Sequence, residues 1–183
     1  MLKYLKEPTK AELKQVKLSP HFTAFEIFYS NTCSHITLSR QYSLQKVQLW
    51  LAQRLCNEIL EIIRARVGKP IIITGGARDE VVYKRLLANS IKPSPTSDHF
   101  FMSYWSLGVG AIDFTADTDL ERLFHWIKDT FDYNSFGQVI WYPDHNFIHI
   151  SNPKTLLGKI GRLVEIPPSR KVLIYKNGEY KPI

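Results

Sequence analysis

The sequence predicts a single domain of the α+β class, in which a mostly antiparallel sheet is flanked by helices. The first observation is a long run of helical spacing between apolar residues from Ser43 onward. The second is a pair of short segments of alternating character, 137–142 and 146–151, joined by Pro-Asp-His. The third is an Asn-Gly pair at 177–178 between alternating residues. With 183 residues, 44% of them hydrophobic, the chain can bury one core.

The first predicted helix begins at Ser43 and carries apolar residues three and four positions apart: Leu44, Val47, Leu51, Leu55, Ile59 and Ile62. Gly68 and Pro70 predict its end, since glycine favours the residue after a helix and proline cannot continue one. Residues 79–89 predict a second helix. We expect Cys56, on the first helix, to be buried like most free cysteines.

The third predicted helix begins at Thr-Asp-Leu-Glu, residues 118–121. This pattern is typical of a capping box, in which Thr118 is the N-cap and Glu121 reaches back to it. The helix is expected to end near Asp132. Its buried face is predicted to consist of four residues: Leu120, Phe124, Ile127 and Phe131.

Strands are predicted at 70–74, 110–114, 137–142 and 146–151 and, as a hairpin, within 171–183. The first of them has the apolar composition of a short buried strand. Before the second lies a proline-rich segment, residues 91–100, which predicts a loop because proline disfavours regular structure.

Two strands and the proline-rich loop each contribute one side chain that can bind a metal. In the strand at 146–151, alternation turns the two isoleucines toward the core and leaves His149 on the opposite face. Asp113 lies within the predicted strand at 110–114, where a carboxylate needs a partner, and a cation would supply one. His99 follows the loop.

Two imidazoles and one carboxylate form a three-ligand zinc site with an open fourth position, which is the arrangement of catalytic zinc. The same residues are also compatible with hydrogen-bonded histidines and a salt-bridged aspartate, because six histidines and seventeen acidic residues allow many chance combinations. Spacing alone leaves both interpretations open.

Composition narrows the class of partner. A net charge of +7 and a pI near 9.4 favour an anionic partner, which would be nucleic acid, a membrane surface or an acidic cell-wall polymer. Nucleic acid is disfavoured, because the lysines are dispersed rather than gathered in a recognition motif. No run approaches the roughly 18 apolar residues of a membrane span. The lysine-rich start lacks the apolar stretch of a secretory signal, so we expect synthesis in the cytoplasm. Cys33 and Cys56 form no disulfide framework.

Four motifs, "IIITGGARD", "SDHF", "GAIDF" and "FIHIS", follow one another in an order that resembles the zinc D-Ala-D-Ala carboxypeptidases. This family is also called the LAS or hedgehog-type metallopeptidases. The resemblance covers residues 18–152, and "GQVIWYPDHNFIHIS" is most similar to a phage-encoded branch. It implies a single DD-peptidase-like zinc domain, with a basic N-terminal arm at 1–17 and a hairpin-bearing C-terminal extension at 153–183.

The resemblance also implies roles for individual residues. The zinc ligands would be His99, Asp113 and His149, and Arg78 would hold a carbonyl or carboxylate group of the substrate. The implied activity is zinc-dependent cleavage of peptidoglycan stem peptides or crosslinks. Without a signal peptide, a phage enzyme of this kind would reach the cell wall after lysis or as part of a virion.

The sequence departs from the family pattern in two places. The family places its histidine and aspartate about half as far apart, so the segment at 100–107 is an apparent insertion that would form a cleft wall or a contact surface. Many family members carry an acidic residue where this chain has Asn146. Asp144 and His145 are the nearest candidates for a general base, and the alternative is that they are polar hairpin residues.

The missing acid and the enlarged loop support a second hypothesis for function. A catalytically inactive relative would keep the peptidase-like fold as a structural or assembly protein of a phage virion, with other virion proteins as its partners. Because a fold does not determine a function, the sequence leaves this alternative open.

Overall fold

The structure, a computed structural model, describes residues 4–101, 107–132, 135–153, 155–157, 163–165 and 171–183. The described α-helices are α1 Lys10–Gln15, α2 Ala24–Phe28, α3 Tyr42–Leu55, α4 Glu61–Val67, α5 Glu80–Ala88 and α6 Leu120–Thr130. The described strands are β1 Tyr29–Ser30, β2 His35–Ile36, β3 Ile71–Gly75, β4 Leu107–Gly108, β5 Ala111–Ala116, β6 Gln138–Tyr142, β7 Phe147–Ser151, β8 Thr155–Leu157, β9 Leu163–Glu165, β10 Lys171–Lys176 and β11 Glu179–Pro182. Short 3-10 helices lie at Asp98–Phe100 and Pro143–His145.

Six strands form the central sheet, in the order β11-β10-β6-β7-β5-β3. Neighbouring strands are antiparallel except β10 and β6, which run parallel. Smaller sheets are formed by β1 with β2 and by β4, β8 and β9. The predicted α+β class, with a mostly antiparallel sheet and flanking helices, is therefore confirmed.

The hydrophobic core covers one face of the central sheet. Its buried side chains come from the sheet and from α3, α4 and α6, and include Leu51, Leu55, Ile63, Ile112, Phe114, Phe124, Ile127, Ile148 and Ile150. Trp141 of β6 stacks on Phe124 of α6, with ring centroids 5.9 Å apart. Because side chains alternate along a strand, the neighbours of these core residues in β5 and β7 lie on the opposite face.

The predicted long helix is present, but it contains a π-helical turn at Cys56–Leu60, which joins α3 to α4. A π turn adds a residue to the helix and so rotates the faces that follow it. Ile62, which was predicted to face the core, is 45% exposed, and Ile63 is buried instead. Gly68 ends the helix as predicted, in the left-handed conformation with φ of 70°.

Asn152, directly after β7, connects this helix to the sheet. With its amide oriented so that both groups are satisfied, the nitrogen donates to the Gly110 carbonyl and the oxygen accepts from the Leu55 backbone N–H, each at 3.1 Å. Asn152 is fully buried. A buried amide with both groups bonded fixes the position of α3 over β7.

One prediction about a helix end and one about the burial of a strand are wrong. The N-cap of α6 is Asp119, whose side chain accepts from the Arg122 N–H, whereas the backbone of Thr118 donates to Ala116 in the preceding turn. The aspartate carboxylate occupies the position that the threonine hydroxyl was expected to fill. The strand β3 is not buried throughout, because it is the last strand of the sheet, and Ile72 is 60% exposed.

The N-terminal residues pack against α3. Leu13 of α1 is fully buried in the core. The Gln45 amide accepts from the Leu5 N–H at 2.7 Å and donates to the Leu5 carbonyl at 2.8 Å. The division of the chain into an arm at 1–17, a domain and an extension stays a prediction.

Glu61 at the start of α4 forms hydrogen bonds with the turn before α2 and fixes its position. Its carboxylate accepts from the Ser19 hydroxyl at 2.6 Å, from the His21 N–H at 2.9 Å and from His21 Nδ1 at 2.7 Å. Burial raises the pKa of Glu61, but these hydrogen bonds from Ser19 and His21 outweigh it, and the net pKa is lowered. The carboxylate is therefore ionised at neutral pH.

Replacing Glu61 by alanine is expected to lower the free energy of unfolding by about 1–3 kcal/mol at pH 7, because Ser19 and His21 lose their acceptor. The loss should be present above the ordinary pKa of 4.5 and should shrink as the pH falls through the lower pKa of the folded state. Urea denaturation at pH 7 and pH 3 measures both. Equal losses at the two pH values would contradict the argument.

The C-terminal hairpin is confirmed. Asn177 and Gly178 connect β10 to β11 with φ of 53° and 83°, the left-handed pair that a tight two-residue hairpin turn requires. The strand β10 then pairs with β6, so the hairpin extends the central sheet by two strands.

Cys56 is fully buried, as predicted, and burial raises the pKa of its thiol. Cys33 and Cys56 are both free. Within the described residues, none of the helices has the length and apolar character needed to span a membrane.

Candidate metal centre

Two neighbouring strands and one 3-10 helix bring the predicted metal ligands together. Asp113 of β5 and His149 of β7 are cross-strand partners, so their side chains leave the sheet on the same face. His99 lies in the 3-10 helix Asp98–Phe100, whose first turn is capped by the Ser97 hydroxyl. Asp98 begins this helix beside the ligand. The proline-rich loop thereby places His99 next to Asp113 and His149 on this face of the sheet.

The three side chains converge on one point. His149 Nδ1 lies 2.8 Å from Asp113 Oδ1, His99 Nε2 lies 3.2 Å from the same oxygen, and the two nitrogens are 3.2 Å apart. All three residues are buried, and His99 is only 2% exposed. This cluster can hold a metal ion.

The protonation of His99 indicates that a cation fits the cluster. His99 Nδ1 lies 2.8 Å from the Gly76 carbonyl, which can only accept, so Nδ1 carries the proton. Burial lowers the pKa of His99 by more than the charge of Asp113 raises it. The net effect favours the neutral ring. Its Nε2 lone pair then faces the carboxylate oxygen of Asp113 at 3.2 Å. A bound cation would relieve this repulsion.

The spacing of the ligand atoms also fits a metal ion. Ligands about 2.0–2.1 Å from a tetrahedral zinc ion lie roughly 3.3 Å apart. The separations of 2.8 and 3.2 Å in the cluster are close to this value. Burial raises the pKa of Asp113, but the charges and hydrogen bonds of the two histidines lower it by more, and the net pKa is lowered. The carboxylate is therefore ionised and available as a ligand.

Arg78 borders the cluster on the side of Asp113. Its Nη2 donates to Asp113 Oδ2 at 3.4 Å, while its backbone N–H donates to the His99 carbonyl at 2.8 Å. Burial lowers the pKa of Arg78, and the negative charge of Asp113 opposes that shift. A guanidinium remains charged under these conditions. The centre therefore combines three ligands with one adjacent cation.

The Gly75-Gly76 pair makes this close packing possible. A Cβ on Gly75 would lie 2.5 Å from Asp113 Oδ2, and one on Gly76 would lie 2.2 Å from the Ile27 carbonyl. Real Cβ contacts are not this short. The sequence alone did not reveal the role of these glycines beside Asp113.

Replacing Gly75 by alanine is expected to displace the Asp113 carboxylate and to weaken metal binding by about 10–100-fold. Metal titration followed by calorimetry measures the change. Gly68→Ala is the matched control, because its φ of 70° makes alanine strained but nothing lies within 4 Å of the added Cβ. This control should lose stability with unchanged metal affinity. Wild-type affinity in Gly75→Ala would refute the argument.

The two candidates for a general base lie outside the cluster of ligand atoms, on the 3-10 helix Pro143–His145. Asp144 Oδ2 accepts from the Asn177 N–H at 3.3 Å and thereby links this turn to the C-terminal hairpin. His145 is exposed, with its ring centroid 6.2 Å from that of Phe147. Asn146 ends the turn in the left-handed conformation. Catalytic roles for Asp144 and His145 stay predictions.

Other histidines form local pairs. His21 bonds Glu61, and His35 Nε2 lies 2.6 Å from Asp79 Oδ2, beside Arg78. His125 is exposed on α6. Of the predicted insertion at 100–107, residues 102–106 lie outside the described residues, so its role stays a prediction.

Comparisons with family models, with curated proteins and with solved structures find no match to this chain. Membership of the carboxypeptidase family and the identity of the metal stay predictions that rest on the residues described above. The candidate site itself is defined by geometry, namely the convergence of His99, Asp113 and His149.

Proposed function

We propose that the chain is a zinc-dependent peptidase that cleaves stem peptides or crosslinks of peptidoglycan. The observation that carries this proposal is the buried convergence of two imidazole nitrogens and one carboxylate oxygen. Zinc is the metal we propose, because neutral imidazole and carboxylate are its usual ligands and three protein ligands leave a fourth position open. A bound zinc ion would polarise a peptide carbonyl and make water more acidic.

Arg78 supplies the binding chemistry next to the ligands. Its guanidinium can hold a substrate carboxylate or a carbonyl oxygen through two parallel hydrogen bonds. Its backbone bond to the His99 carbonyl fixes its position relative to that ligand. Charge that develops on a substrate oxygen near the cluster would therefore meet a preorganised cation.

Hydrolysis of a peptide also needs a group that accepts a proton from water. Asn146 stands where an acid is expected, and an amide cannot accept the proton in hydrolysis. Asp144 and His145 are both exposed in this turn, and Asp144 already accepts a hydrogen bond from the Asn177 N–H. We propose His145 as the first candidate and Asp144 as the second.

The same observation favours a second candidate function. A chain that retains the ligands but lacks the acid would suit a catalytically inactive structural or assembly protein of a phage virion. In either case we propose a phage origin, and for the peptidase we propose action on the wall after lysis or from within a particle. Neighbouring virion proteins are proposed partners only for the second candidate.

Mass spectrometry of muropeptides after incubation of zinc-loaded protein with peptidoglycan tests the proposal. New fragments that disappear in a chelator-treated control are the expected result, and their masses identify the bond that is cleaved. An unchanged digest from protein that demonstrably contains zinc would overturn the peptidase and favour the virion protein. Stoichiometric presence in purified particles would then support that alternative.

A further inference from the structure

Four aromatic side chains form a continuous row across the central sheet. Phe147 of β7 stacks on Tyr142 of β6 at 4.4 Å between ring centroids, Tyr142 contacts Tyr175 of β10 at 5.1 Å, and Tyr175 contacts Tyr180 of β11 at 4.7 Å. We call these residues the aromatic row. The predicted strands contained all four residues, but only the pairing of β10 with β6 brings them together.

The aromatic row lies on the same face of the sheet as the candidate metal centre. His149 pairs with Ile140, and Phe147 pairs with Tyr142, so these side chains share one face. Tyr175 pairs with Tyr180 and continues the row. Because Phe147 is two residues from His149, the row begins about 7 Å along the strand from the ligand.

The row offers apolar rings and hydroxyl groups but no charge. The hydroxyls of Tyr142 and Tyr180 lie 3.2 Å apart. Burial, followed by the hydrogen bond to Tyr180, raises the pKa of Tyr142, so its hydroxyl stays protonated. Tyr180 is 56% exposed and presents ring surface to a ligand. Tyrosine combines an apolar ring with a polar tip, which suits a neutral ligand that has both kinds of surface.

We propose that the aromatic row binds sugar rings of the glycan strand that carries the peptide substrate. Sugars fit because their C–H faces can stack on aromatic rings while their hydroxyls bond to Tyr142 and Tyr180. The four side chains of the row carry no charge, so the contacts they offer are ring stacking and hydrogen bonds. The proximity of the row to His149 allows one wall fragment to contact both. This inference rests on the proposed function and assigns the C-terminal hairpin to substrate binding.

Binding of a soluble N-acetylglucosamine tetramer to the full chain tests the inference, with chelator present so that cleavage plays no part. Nuclear magnetic resonance titration should show saturable binding, and Tyr180→Ala should weaken it at least about tenfold. Tyr42→Ala is the matched control, since Tyr42 is 51% exposed and also contacts another tyrosine, Tyr4. It should leave sugar binding unchanged.

Absence of sugar binding, or equal binding by Tyr180→Ala and the unsubstituted chain, would overturn the inference. A sugar-free stem peptide that binds and loses the same affinity in Tyr180→Ala would also overturn it. Chelator-sensitive cleavage without sugar binding would support the proposed peptidase and refute the role of the aromatic row in substrate binding. Sugar binding without cleavage would support the sugar-binding role of the aromatic row and refute the proposed peptidase activity.

Discussion

Replacing His149 by alanine is expected to abolish both metal binding and peptide cleavage. The substitution removes one of three ligands from a buried cluster in which His99 and Asp113 remain. Metal affinity should fall by more than about 100-fold, because even the partners that orient a ligand are worth 10–100-fold. Cleavage should fall by at least about 10³-fold with the loss of Lewis acidity. Metal content by mass spectrometry and muropeptide release measure the two effects.

His125→Ala is the control for this experiment, because His125 is exposed on α6 and takes no part in the cluster. It should keep metal content and cleavage. Since removal of a buried ring can also unfold a protein, His149→Gln and a circular dichroism melt accompany the alanine variant. A folded variant at position 149 that still cleaves with full metal content would show that His149 is not a ligand.

Substituting lysine for Arg78 is expected to lower kcat/KM about 10²–10³-fold while the bound metal is retained. Lysine keeps the positive charge but loses the planar pair of donors that can hold a carboxylate or a carbonyl oxygen. The backbone bond from residue 78 to the His99 carbonyl is available to any residue except proline. The defect should therefore appear in cleavage and not in the affinity for zinc.

Arg85→Lys provides the matched change, since Arg85 is exposed on α5. Steady-state cleavage of a short stem peptide and zinc titration are measured for both variants. Unaltered kcat/KM in Arg78→Lys would show that only the positive charge at position 78 matters and not the planar pair of donors. Loss of zinc from that variant would assign Arg78 to support of Asp113 rather than to the substrate.

Local chemistry explains why the three candidate ligands could be identified from the sequence. Alternation along a strand determines which face His149 and Asp113 occupy, and the burial of neighbouring isoleucines makes that assignment firm. His99 needed the resemblance as well, because nothing local indicates where a proline-rich loop will end in space. The helices and the Asn177-Gly178 hairpin were identified from their periodicity and turn residues.

The features that the sequence did not reveal depend either on local backbone geometry or on contacts distant in the chain. Ile63 lies in the core where Ile62 was expected, because the helix contains a π turn that periodicity alone does not predict. The need for Gly75 depends on how closely β3 approaches Asp113. The aromatic row requires the parallel pairing of β10 with β6, segments separated by nearly thirty residues and carrying no local signal for each other.

That parallel pairing also protects the protein against aggregation. Without the hairpin, β6 would end the sheet, and its Val-Ile-Trp-Tyr sequence would offer unpaired backbone groups along an apolar, β-prone segment. With the hairpin in place, the terminal strand is instead β11, whose Glu179, Lys181 and Pro182 discourage pairing with another chain. The hairpin thus protects this edge of the central sheet from pairing with another chain.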